Sequence, residues 1–205
     1  MRRPERRAAG LMNTSIGVMT SLDYAINTCL LTAHICLSRG DRVALVVYAD
    51  RVTHFLPLKS GKLQLQALLE LLYNVASIPV ESDYLGALDF IKHRFHQRSL
   101  VISFTDLVDR DASRSLSTML SALHSLHIVV CATMRDPVIK QMSKQAPVTS
   151  SDVYQRAIAL GLTQRRQALI DTLKTAGIMP VDVDADELSP RIIDTYLELK
   201  SHERI

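Results

Sequence analysis

Ser99-Leu-Val-Ile-Ser-Phe-Thr-Asp-Leu-Val-Asp109 is the stretch whose reading decides the fold. Leu100 to Phe104 has no polar alternation, as expected of a strand covered on both faces at the centre of a parallel sheet. It stops on Thr105-Asp106. Ligands of open α/β sheets sit at the carboxyl ends of the strands, so both side chains stand where a ligand or cation reaches them. Mg²⁺ is commonly held through one or two carboxylates plus water, so a lone Asp106 is chemically sufficient as an anchor. A cap on the next turn accounts for the same residue equally well.

Outward from this stretch, apolar runs and helical periodicities alternate. Upstream, Ala25, Ile26, Cys29, Leu30, Ala33 and Leu37 recur at helical spacing between a cap at Ser21 and Gly40. Val43 to Tyr48 reads as a second buried strand. Val52 to Leu58 reads as an edge strand, because Pro57 cannot donate to a ladder. Leu65, Leu68, Leu69 and Leu72 mark a helix, and another starts at Ser82-Asp83 with Ser82 as its cap.

Downstream, a helix through Leu116, Leu120 and Leu123 leads to an apolar strand over His127 to Thr133, broken by Asp136-Pro137. Pro137 to Ser150 is polar and irregular, the expected mobile loop. A long helix covers Tyr154 to Ala176, with Gly161 as a point where it bends or divides. Ile178 to Val183 is a marginal strand because of Pro180. The last helix opens with Ser189 as cap and Pro190 at its first position. Strands alternating with helices predict an α/β fold, a three-layer sandwich around a mostly parallel sheet.

The totals fit one domain: 205 residues, 47% hydrophobic and 22% charged. A net charge of +3 is too mild to argue for nucleic acid, and much of the excess sits in Arg2, Arg3, Arg6 and Arg7. Residues 1–20 are expected to be an unstructured basic tail and 21–205 the domain. Cys29, Cys36 and Cys131 form no Cys-x-x-Cys pair and read as small core residues in a reducing compartment. No apolar run is long enough to span a bilayer and no secretory signal is seen, so a cytoplasmic location is expected.

Several chemistries lose their footing. There is no Gly-x-Gly-x-x-Gly, no Gly-x-x-x-x-Gly-Lys and no Gly-x-Ser-x-Gly, which argues against nucleotide hydrolysis, dinucleotide redox chemistry and serine hydrolysis. His93/His96 and His124/His127 have no Cys or acidic partner at ligand spacing and read as solvated helical faces. Ser82-Asp83 and Thr105-Asp106 remain. Brought to one rim, their hydroxyls and carboxylates would hold a hard divalent cation; two ordinary helix caps explain the same pattern.

Gly40-Asp41-Arg42-Val43, Ser82-Asp83-Tyr84, Arg98-Ser99-Leu100-Val101, Thr105-Asp106-Leu107, Arg135-Asp136-Pro137, Gly177-Ile178 and Tyr196-Leu197-Glu198-Leu199-Lys200 occur in this order. Together they resemble the carboxy-terminal part of the domain of unknown function 58 family, a von Willebrand factor type A-like domain, over roughly Ser21 to Glu203. The resemblance implies a metal-ion-dependent adhesion site built from an Asp-x-Ser-x-Ser motif after the first strand, a Thr before a helix and an Asp after the fourth strand. Ser82 falls at the Thr position and Asp106 at the last Asp.

The implied role is a non-enzymatic protein-interaction module, acting with a MoxR-type AAA+ ATPase in protein assembly; full-length relatives are membrane-anchored in some cases. Nothing before Ser21 matches the first strand or its motif, since Met1 to Ala9 carries Pro4 and Glu5 is the only acid ahead of Asp23. The fold is therefore expected to be incomplete at its N-terminus, with Val43–Tyr48 and Leu100–Phe104 flanking the missing strand. Mg²⁺ binding through Asp106, Ser82, Asp83 and Thr105 is expected to be weak or absent. Two rivals stand beside this reading: a phosphoryl-transfer enzyme in which Asp106, helped by Asp83 or Asp109, holds Mg²⁺, and an inert shortened remnant.

Overall fold

The computed structural model describes residues 15–16, 19–77, 80–105 and 110–202. Within the expected tail, β1 (Ser15–Ile16) and β2 (Met19–Thr20) pair antiparallel. Residues 1–14 and 17–18 lie outside the described residues. Helix α1 (Ser21–Ser38) starts one residue earlier than its expected cap implied. Thr20 accepts from the Asp23 N–H while the Asp23 carboxylate accepts from the Thr20 N–H at 2.7 Å, a reciprocal capping box. Gly40, at φ +84°, closes the helix in the left-handed region.

Strands β3 (Val43–Tyr48) and β4 (Val52–Lys59) pair antiparallel, with Val46 opposite Phe55. Helix α2 (Lys62–Tyr73) locks onto this pair through buried Gln64, whose Nε2 donates to the carbonyls of Val43 (2.7 Å) and Pro57 (2.8 Å). Then come α3 (Tyr84–Arg94), β5 (Leu100–Phe104), α4 (Arg110–His124), β6 (Ile128–Met134), α5 (Pro137–Lys144), α6 (Ser150–Thr175), β7 (Met179–Val183), a 3-10 turn at Ala185–Glu187 and α7 (Leu188–Ser201).

The architecture is mixed α/β, with a small parallel sheet in the order β5-β6-β7 flanked by helices. Among the described residues β3-β4 is a separate two-stranded unit, and neither β3 nor β5 has a partner on its other edge, the two edges that the sequence leads us to expect on either side of a missing strand. Among the described residues Leu100–Phe104 is therefore an edge, and the centre belongs to β6. All seven β6 residues are buried, whereas every residue of β3 and β5 keeps partial exposure despite an equally apolar sequence. An apolar run requires covered faces but leaves its lateral neighbours unspecified.

The core lies on both faces of β6. Val129 and Cys131 point to one side, among Ala87 and Ile91 of α3, Leu116, Leu120 and Leu123 of α4, and Ile170 and Leu173 of α6. Val130, Ala132 and Met134 point to the other, among Val181, Leu188 and Ile192. This alternation is the period-two geometry of a strand. Pro57 and Pro180 do sit on edges, in β4 and β7.

Three local expectations are corrected. Pro137 to Ser150 is not a loop throughout: Asp136 Oδ1 accepts from the N–H of Val138 at 2.7 Å, and Pro137 occupies the first turn of α5. Gly161 does not divide α6, which runs unbroken for 26 residues. Ser189 does not cap α7; its hydroxyl meets that of Thr28 on α1 at 2.7 Å and ties the two helices together.

His127 departs from the solvated-face expectation. It is 2% exposed, at the turn between α4 and β6, and neither ring nitrogen has a partner among the described residues. Burial lowers its pKa below the ordinary 6.5, because a charged ring would lose its hydration there. The unfolded chain therefore binds a proton that the native chain does not. Stability is fully retained above about pH 6.5 and falls below it by up to about 1.4 kcal/mol per pH unit. Urea unfolding of the wild type and of His127→Leu at pH 7.5 and 5.5 checks this: the variant is expected to lose less stability on acidification.

Candidate functional site

Ser82, Asp83 and Thr105, the predicted site residues that are described, lie at one rim, where β3, α3 and β5 end or begin. The Asp83 N–H donates to the carbonyl of Ala49, just after β3, at 2.7 Å, which fixes the Ser82–Asp83 corner beside that strand. The cap of α3 is Asp83, not Ser82: its Oδ1 accepts from the Gly86 N–H at 2.9 Å. A Cβ on Gly86 would lie 2.1 Å from the other carboxylate oxygen, so only glycine leaves this cap undisturbed.

Tyr84, the next residue, joins the corner to β5. It is 4% exposed, its hydroxyl shares a hydrogen bond with Thr105 Oγ1 at 3.5 Å, and its ring meets Tyr48 edge-on at 5.9 Å. Thr105 is itself buried, held by its N–H to the Ala132 carbonyl at 3.0 Å. The Tyr48 phenol is held above its ordinary pKa range, by burial first and by the adjacent Tyr84 second, while the hydrogen bond its oxygen accepts from the Ser103 hydroxyl works the other way. Sequence reading passed over these two tyrosines, although Tyr84 stands directly after the predicted site pair.

Asp106 and Asp109 lie outside the described residues, so Ser82, Asp83 and Thr105 are the members of the expected cation set whose placement is described. Of these, Asp83 is engaged by the α3 N-terminus and Thr105 by Tyr84. Among the described residues no group of three His, Cys, Asp or Glu is placed to hold a metal. The described donors therefore do not by themselves fit Mg²⁺, which takes six oxygens in a tight octahedron.

Beneath the rim a cavity of about 800 Å³ opens between β3 and β5. Val43 to Tyr48 line one side and Ser99 to Thr105 the other; Ala25, Cys29 and Thr32 of α1 line it as well, with Ile91 of α3 and Met119 and Leu123 of α4. The flanking strands run in the same direction. Arg42, before β3, donates to Gln97, before β5, at 2.8 Å, while Tyr48 and Thr105 at the other ends both meet Tyr84. Burial pushes the thiols of Cys29 and Cys36, both beside this cavity, up to about 11, so neither is a reactive thiolate at neutral pH.

No helix among the described residues is long and apolar enough to cross a membrane. No curated protein matches the chain at a significant level. A family model does, the one described as Protein of unknown function DUF58, over residues 12–175, from just ahead of β1 to the end of α6. With most of its length matched in this way, the chain belongs to the DUF58 family.

Proposed function

We propose that the chain is a non-enzymatic protein-interaction module related to the von Willebrand factor A domains, and that it engages its partner at the rim formed by Ser82, Asp83 and the end of β5. The observation that carries this reading is the buried Tyr84–Thr105 contact, which ties the α3 corner bearing Ser82 and Asp83 to the end of β5. Family membership and the chain order of strands and helices support the same assignment. The partner class in view is a MoxR-type AAA+ ATPase. The cation contribution is weak or nil, since Asp83 and Thr105 already have partners.

Two measurements test the proposal. Titration calorimetry with Mg²⁺ and Mn²⁺ is expected to show no micromolar site; such a site, abolished by Asp106→Ala, overturns the weak-metal part. Sedimentation of the chain with a MoxR-type AAA+ ATPase from the same source is expected to show a complex that Ser82→Arg weakens. Turnover of phosphate esters or nucleotides in the presence of Mg²⁺ would replace the module by the phosphoryl-transfer reading.

A further inference from the structure

The space between β3 and β5 has an unusual set of walls. Two opposite sides are edges of strands that run in the same direction, and neither edge has a strand partner on this side among the described residues. Helix α1 contributes a third wall, and α3 with α4 a fourth, through apolar or small side chains such as Ala25, Cys29, Ile91 and Leu123. Strand edges carry rows of N–H and C=O groups that need partners when removed from water. Apolar helical walls ask for side chains on both faces of whatever lies between.

We infer that this slot is an acceptor for one extended polypeptide segment of a partner protein: about five or six apolar residues, roughly 17–20 Å of strand, inserted between β3 and β5. An acyl chain or a compact apolar ligand would cover the helical walls and leave both ladders unpaired. A strand satisfies all four sides, with its main chain pairing to two edges and alternate side chains turning to α1 and to α3/α4. The volume is of the right order for such a run.

Charge selects the flank of the segment. At the amino-terminal mouth, Asp41 is already answered by Lys200 and by the Tyr196 hydroxyl at 2.6 Å, whereas Arg42 and Arg98 are exposed and line the opening. The segment is therefore apolar with acidic residues at the end that enters between these arginines. Within the given sequence, Arg2, Arg3, Arg6 and Arg7 carry charge of the same sign as this mouth, and position 4 is a proline. The inference concerns the slot and not the rim, so it stands or falls separately from cation binding and from the ATPase complex.

The test uses the 205-residue chain and a labelled peptide of two glutamates followed by six alternating valines and leucines. Three controls accompany it: the same peptide with prolines at the second and fourth apolar positions, decanoate, and a chain lacking residues 1–14. Fluorescence anisotropy is expected to show saturable binding that the proline peptide loses by at least about tenfold, since each proline removes a ladder donor and kinks the strand. Arg42→Glu with Arg98→Glu is expected to weaken binding several-fold. Amide exchange is expected to slow in Val43–Tyr48 and Leu100–Phe104 on peptide addition while β6 and β7 stay unchanged. Equal binding of the proline peptide, displacement by decanoate, or protection gained elsewhere overturns the proposal. So does strong peptide binding that appears only when residues 1–14 are removed, which would make the chain's own segment the occupant.

Discussion

Replacing Arg166 by alanine is expected to lower the unfolding free energy by roughly 2–4 kcal/mol and the midpoint by roughly 5–15 °C. Arg166 on α6 reaches the carboxyl ends of β6 and β7, donating from Nη2 to Thr133 Oγ1 (2.6 Å), the Met134 carbonyl (2.6 Å) and Asp182 Oδ1 (2.7 Å), and from Nε to Asp182 (3.1 Å). Both charged side chains are 16% exposed, so the loss leaves Asp182 poorly hydrated with, among the described residues, only Arg135, at 3.4 Å, in support. Thr133, fully buried, loses its donor as well. Breaking one side of such a pair costs more than the pair contributes, because the remaining groups have been removed from water.

Arg166→Lys keeps the charge but not the planar fork, and is expected to fall between wild type and alanine. Urea unfolding with unchanged slope is the measurement. A midpoint for Arg166→Ala indistinguishable from wild type would show that α6 is held by its apolar contacts alone.

The second large effect concerns exchange rather than unfolding. In the free chain, slot-facing amides of β3 and β5 are expected to exchange at least about a hundredfold faster than those of β6, whose neighbours pair on both sides. The contrast arises within one parallel sheet: β5 and β6 share five registered pairs, from Leu100 opposite Ile128 to Phe104 opposite Ala132, yet among the described residues only β6 has a second partner. Residue-resolved hydrogen exchange checks it. Uniform protection throughout β3 and β5 in a monomer would mean that the gap closes in solution and that the two sheets join.

Much of the fold was legible because its signals are local. The alternation of apolar runs with helical stripes, the edge positions of Pro57 and Pro180, and the helix stops at Gly40 and Gly177 depend on neighbours in sequence. The rank of Leu100–Phe104 was not legible, since whether an apolar run is central or marginal depends on what pairs with it from elsewhere in the chain. The caps show the same limit at shorter range. Thr20 and Asp83 took the positions assigned to Ser21 and Ser82, and Ser189 turned to Thr28 across 161 residues.

Asp136-Pro137 was a different kind of oversight. A strand breaker and a helix starter are the same two residues, read from opposite sides. At the site, the bringing together of Ser82, Asp83 and Thr105 was implied by the family resemblance and not by the residues alone, whereas the role of Tyr84 required knowing which strand end its helix overhangs. His127 was misjudged because a ring at a helix end is solvated or sealed in according to the strand that follows.

The uncharged borders of β3 and β5 would ordinarily invite fibril-like stacking. Here both are recessed between helical layers, so a single chain can thread in lengthwise while a ready-made sheet arriving broadside is turned away by the flanking cylinders. Such a groove would act as a steric filter on association, sparing the protein the polymerisation hazard of two hydrophobic borders that are unpaired among the described residues.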